Sequence, residues 1–172
     1  CRLDAIELDR DLTPRLLAAF SIYPDFKLHS ADALTFDFSQ LIHNGEKLRV
    51  VGNLPYNIST PLIFKLLENA SIIDDMHFML QSEVVDRLAA SPGSKAWGRL
   101  GVMTQARADV TMLFRVPPGA FTPAPRVESA IVRIVPRTLS ERQRALLPCL
   151  EKVVRAAFGQ RRKTLKNTLK GV

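Results

Sequence analysis

Apolar residues are spaced along the chain in two rhythms. Short apolar or alternating runs at residues 3–9, 26–30, 48–51, 72–81, 111–116 and 126–135 predict strands. Spacings of three and four predict helices over 10–20, 83–90 and 97–108, and a helix with a loop within 35–46. Thr60 followed by Pro61 is expected to be an N-cap with proline at the first helical position; Leu62, Ile63, Leu66 and Leu67 then form the core-facing stripe. Ser82 is expected to cap the helix opened by Glu83. Strand and helix alternate, which is an α/β pattern.

The character changes near Leu139. Ser140 and Gln143 have capping-box spacing. Leu146, Leu150, Val153, Val154, Ala157 and Phe158 continue a helical stripe, interrupted or restarted at Pro148, and Gly159 stops it. Residues 161–170 are expected to resume as a basic helix with Leu165 and Leu169 pointing inward. The chain therefore divides into an α/β domain, 1–137, and the beginning of a helical domain, 138–172.

Composition narrows the class without naming it. The 172 residues are 47% hydrophobic and 24% charged, ordinary for a soluble globular chain. No apolar run approaches the ~20 residues of a membrane span, and no charged-then-apolar signal segment opens the chain. Cys1 and Cys149 are too few for a disulfide framework. Together these features favour the cytoplasm. His29, His43 and His77 are scattered, so no metal site is expected.

The net charge of +7 is concentrated at one end. From Lys152 onward there are seven basic residues and no acidic one, which leaves 17 of each sign in residues 1–151. Such a tail is either a solvated helix face or a surface for phosphates.

Candidate chemistry centres on Asn53-Leu54-Pro55-Tyr56, where an apolar strand hands over to a helix. In open α/β sheets, ligands bind at the carboxyl ends of strands. Asn53 offers an amide oxygen as an acceptor, and Pro55 fixes the backbone so that a neighbouring carbonyl can act as a second. Two acceptors can hold both hydrogens of an exocyclic amine and aim its lone pair at an electrophile, which stabilises the transition state without a strong base. Tyr56 gives a face on which a base stacks, worth about 1–3 kcal/mol. An ordinary turn with a half-buried tyrosine is the competing explanation.

Three further residues suit the same chemistry. Glu7 ends a strand, where a carboxylate either grips ribose hydroxyls or is merely solvated. Asp32 follows the next strand and either accepts from an adenine amino group or closes an Asx turn. Residues 116–125 hold four of the chain's eleven prolines and one aromatic, Phe121, which either faces Tyr56 across a flipped base or fills the core.

These segments, taken in order, are similar to the bacterial small-subunit ribosomal RNA adenine-N6,N6-dimethyltransferases over almost the whole chain. The resemblance is carried by Ile6 to Asp9, Asp32-Ala33-Leu34, Asn53 to Pro61, Met76 to Val85, Gly98-Arg99-Leu100, Phe121 to Pro125 with Val127 to Ala130, and Phe158 to Leu165. It implies a Rossmann-like S-adenosylmethionine methyltransferase with a small C-terminal helical domain. It implies transfer of two methyl groups to each of two adjacent adenines near the 3′ end of small-subunit rRNA.

On this resemblance Glu7 would hold the cofactor ribose, Asp32 with Ala33 its adenine, and Asn53 would lie between cofactor and target amine. Tyr56 and Phe121 would sandwich the base. Arg161, Arg162, Lys163 and Lys166 would face RNA, with an immature small subunit as partner, no membrane, and a monomeric protein. Leu54 in place of a second proline resembles the RNA branch rather than DNA adenine methylases, and Trp97 stands where the family often has tyrosine. The family's glycine-rich loop would precede Cys1, on a central strand between those ending at Glu7 and Asn53, so the chain alone is expected to bind cofactor poorly. A non-catalytic RNA-binding relative and the large-subunit rRNA adenine methylases are the alternatives.

Overall fold

The computed structural model describes residues 2–160 and 163–170. Its strands form two ladders. In the first, β1 (Leu3–Glu7) and β2 (Phe26–Ser30) pair in parallel, joined by helix α1 (Leu12–Phe20). The second has four strands in the order β3-β4-β6-β5: β3 (Leu48–Asn53), β4 (Ile73–Gln81), β5 (Ala108–Val116) and β6 (Ser129–Pro136). β3 and β4 are parallel, whereas β6 is antiparallel to both β4 and β5. Neither β1 nor β3 pairs with the other, and each keeps one edge without a strand partner among the described residues. The α/β pattern is the one the sequence predicts, and the parallel β1–β2 and β3–β4 pairs with crossover helices are Rossmann-like, as the resemblance implies.

Helix α2 (Tyr56–Glu68) crosses from β3 to β4, and α3 (Ser82–Leu88) and α4 (Arg99–Gln105) lie between β4 and β5. Pleating sorts the four-stranded sheet into two faces. Met76, Phe78 and Leu80 of β4 are buried beside Ile134, Val132 and Ala130 of β6, their register partners. Ile63 and Leu66 of α2 and Val85 and Leu88 of α3 complete that core.

The opposite face is polar and centres on Asp75, whose side chain is only 1% exposed. Arg49 on β3 donates to both its oxygens, at 2.8 and 3.1 Å, and Arg133 on β6 donates to Oδ2 at 3.1 Å. Two guanidiniums thus supply the partners that a buried carboxylate requires. Burial pushes the Asp75 carboxyl up, but the hydrogen bonds from Arg49 and Arg133 outweigh it and hold it below the usual carboxylate range.

Five local expectations are corrected. α2 begins at Tyr56, with Pro55 as its N-cap, and Pro61 lies inside it. Pro55 already turns the chain at φ −56°, so the helix starts one turn earlier than the Thr60-Pro61 signal suggests. The stretch 35–46 forms only a one-turn 3-10 helix, Phe38–Leu41, because Asp37 Oδ1 accepts from Ser39 N and Phe36, Phe38 and Leu41 all turn into the core. Ser82 makes no cap bond; it is the first residue of α3, and its hydroxyl reaches elsewhere. Pro148 neither interrupts nor restarts α5 (Glu141–Gly159), which is continuous and opens with the Ser140–Gln143 capping box. α6 (Leu165–Thr168) is a single turn, and Leu165 is 60% exposed rather than inward, with Leu169 half-buried.

Candidate active site

The turn after β3 is shaped by an absent side chain. A Cβ on Gly52 would lie 3.1 Å from Leu54 Cδ2 and 3.7 Å from the Phe78 ring. With none there, Leu54 folds back over the strand and its N–H donates to the Met79 carbonyl at 3.2 Å. Pro55 then supplies the carbonyl that accepts from Ile58 N and Ser59 N, and the Ser59 hydroxyl donates to Tyr56 O at 3.1 Å. All these bonds hold the turn from behind. On its open side the Asn53 amide is exposed and has no hydrogen-bond partner among the described residues, and the Leu54 carbonyl accepts none. Tyr56 is 71% exposed. Two uncommitted acceptors and an open ring share four residues.

Topology brings the proline-rich loop to the same edge. Asn53 is level with Met79, and Met79 with Ile131, so the end of β3 lies two strand spacings, about 10 Å, from β6. Because β6 runs antiparallel, its start at Ser129 lies beside Gln81, the last residue of β4, and beside Val116, the last of β5. The β5–β6 connection therefore leaves and returns at the edge that carries Asn53. Phe121, half-buried, follows a 3-10 turn at Pro118–Ala120 and donates its N–H to Pro118 O.

Glu7 and Asp32 lie at neighbouring strand ends. Glu7 is level with Ser30, and its carbonyl accepts from Ala31 N at 3.0 Å. Each carboxylate uses one oxygen to close its own turn: Glu7 Oε1 accepts from Asp9 N and Asp32 Oδ1 from Leu34 N, both at 2.8 Å. The second oxygen of each has no partner among the described residues. The Asx-turn role and a ligand role for Asp32 are thus compatible. Two oriented carboxylates with a free oxygen each fit the hydroxyl and amino donors of a nucleoside. Ala33 is half-buried against the core, which holds this loop in place, and Lys65 of α2 donates to Leu34 O at 2.8 Å.

Residues 2–172 match the family described as ribosomal RNA adenine dimethylase. The chain belongs to this family. It is 61% identical over 169 residues to a ribosomal RNA small subunit methyltransferase A from Pseudomonas aeruginosa and 58% identical over 168 residues to that of Marinobacter nauticus. These alignments take in 98% of the chain and 63% and 60% of the relatives, so the chain spans less than two thirds of their length. Two crystal structures resemble it closely over 98% of its length. One is a dimethyladenosine transferase from Plasmodium falciparum (TM-score 0.80, 26% identity, 59% of that chain), the other a 23S rRNA methyltransferase, ErmE (TM-score 0.76, 27% identity, 66% of that chain).

Of the basic tail of this family member, α5 and the single turn α6 are described. Lys163 and Lys166 are exposed, while Arg161 and Arg162 lie outside the described residues. Among the described residues no three His, Cys, Asp or Glu side chains cluster as a metal site would require, and no helix is long and apolar enough to cross a membrane.

The sequence reading missed one group at the edge. Arg115, the penultimate residue of β5, donates to Glu128 Oε2 at 3.0 Å and to Asp86 Oδ1 at 2.7 Å, and the Ser82 hydroxyl donates to the same Glu128 oxygen. No local spacing could reveal it, since its members lie 13, 29 and 46 residues apart.

Proposed function

We propose that the protein transfers methyl groups from S-adenosylmethionine to N6 of two adjacent adenines near the 3′ end of small-subunit rRNA, in an immature subunit. The observation that carries this reading is the pair of uncommitted acceptors, Asn53 Oδ1 and Leu54 O, beside the open Tyr56 ring. S-adenosylmethionine, when bound, supplies an electrophilic methyl group. Glu7 would hold its ribose hydroxyls, and Asp32 beside Ala33 its adenine amino group, through the oxygens left free by their turns.

The target adenine stacks on Tyr56, with Phe121 on its other side. Both N6 hydrogens are accepted, one by the amide oxygen and one by the carbonyl. Held in this way the nitrogen would become pyramidal, its lone pair directed by Asn53 Oδ1 and Leu54 O toward the electrophilic methyl that the cofactor would supply. One N6 proton then leaves to water at the exposed edge. A monomethylated amine keeps one hydrogen, so one acceptor still orients it for the second transfer. The exposed Lys163 and Lys166, with Arg161 and Arg162, contact rRNA phosphates.

The names of the small-subunit relatives, at 57–61% identity, support this substrate over the large subunit named for ErmE, at 27%. The test supplies labelled S-adenosylmethionine and isolated immature small or large subunits to the full-length gene product, with mass spectrometry of the rRNA. Dimethylation of two neighbouring small-subunit adenines is expected. Modification confined to the large subunit, or binding with no transfer, would reject the reading.

A further inference from the structure

We propose that Arg115, Glu128, Ser82 and Asp86 form a clamp that sets where the 117–127 loop, and hence Phe121, stands relative to the Asn53 turn. The inference rests on the methyl-transfer reading, and these four are positioning residues rather than catalytic ones.

The loop cannot place itself. Pro117, Pro118, Pro123 and Pro125 have no N–H to donate. Between residues 117 and 127 the only backbone hydrogen bonds among the described residues are local, from Ala120 N to Pro117 O and from Phe121 N to Pro118 O. A stiff segment without lateral bonds takes its direction from its two stems.

Both stems are held at one point. Arg115 Nη1 donates to Glu128 Oε2 at 3.0 Å, which ties the outgoing stem to the returning one. Ser82 fixes the returning stem twice: its N–H donates to Glu128 O at 2.9 Å and its hydroxyl to Glu128 Oε2 at 3.1 Å. Arg115 Nη2 reaches Asp86 Oδ1 at 2.7 Å, one turn further along α3. α3 continues directly from β4, and β4 carries the Met79 carbonyl that holds Leu54 N. A continuous path of strand and hydrogen bonds therefore connects the turn that presents Asn53 and Tyr56 to the loop that presents Phe121.

The clamp's value is geometric. Arg115, Asp86 and Glu128 are each about two-fifths exposed, and ion pairs so open to water add little to global stability. A planar guanidinium with two nitrogens on two separate carboxylates nevertheless fixes direction, which the single ammonium of lysine cannot do. Removing it should leave the fold intact and loosen the loop.

Two measurements test this. In Arg115→Ala, amide exchange at Ala120 and Phe121, the two hydrogen-bonded amides of the loop, should rise about 10-fold while Phe78 and Val132 stay unchanged. In the full-length gene product, Arg115→Ala and Glu128→Gln should lower kcat for rRNA about 10- to 100-fold. Their Kd for S-adenosylmethionine should stay within about twofold of the parent, and Arg115→Lys should recover only part of the loss. In a Phe121→Ala background the added Arg115→Ala should cost nothing more, because the clamp acts through that ring. Unchanged loop exchange, or full additivity with Phe121→Ala, would overturn the proposal. If exchange responds but the parent protein transfers no methyl group, the methyl-transfer reading fails while the clamp stands. Transfer by the parent with an equally fast Arg115→Ala protein defeats the clamp alone.

Discussion

The two ladders of this molecule are built to different standards. No described residue from 2 to 30 is buried, and α1 leaves Leu12, Leu17 and Phe20 open to solvent. In the four-stranded sheet, Met76, Phe78, Val132 and Ile134 are at most 1% exposed. Within the described residues the two-stranded ladder has little buried surface to resist local opening, whereas the β4–β6 centre should open only with global unfolding. The candidate site residues are spread over both: Glu7 ends a strand of the open ladder, Asp32 follows that ladder in a loop packed on the core through Ala33 and Leu34, and Asn53 and Tyr56 follow the edge strand of the four-stranded sheet.

Mutations should reproduce this contrast. Phe78→Ala is expected to cost about 3–5 kcal/mol in denaturant unfolding, because it empties the centre of the rigid half. Gly101→Ala comes next, at about 1–3 kcal/mol, since the new Cβ would meet the Arg87 carbonyl 2.6 Å away, where backbone must shift.

Asp75→Asn should cost about 1–2 kcal/mol, less than a fully enclosed ion pair because Arg49 and Arg133 still reach water. The same carboxylate predicts a pH dependence. Its folded pKa lies below the ordinary 3.8, so its contribution is present in full above that value and is lost as the pH falls through the folded pKa. An acid titration of stability should therefore be flatter for Asp75→Asn below about pH 4. The smallest effect is expected in α1: Leu17→Ala, at a site already half exposed, should stay within about 0.5 kcal/mol. A cost for Leu17→Ala close to that of Phe78→Ala would erase the distinction between the halves.

Legibility in the sequence followed the range of the interactions. The 26–30 strand and the Ser140 cap follow from patterns within a few residues, and periodicity or capping chemistry reveals them. Pro61 misled because a strong local start signal lost to an earlier one, Pro55, in the same helix. Residues 35–46 misled because Phe36, Phe38 and Leu41 serve the core from irregular backbone, and their spacing mimics a helical stripe. Ser82 was misread as a cap because its real partner, Glu128, is 46 residues away. Asn53, Tyr56 and Phe121 were visible as chemistry, but only strand order shows that β3 and the β5–β6 loop share an edge.

The division of labour proposed within the site is tested most directly by comparing Asn53→Ala with Glu7→Ala in the full-length gene product, with cofactor Kd and kcat for rRNA measured on each. Asn53→Ala is expected to keep the parent's cofactor affinity within about twofold and to lose at least about 100-fold in kcat, as removal of a transition-state acceptor should. Glu7→Ala should weaken cofactor binding instead. An Asn53→Ala protein that methylates at the parent's rate would contradict that division.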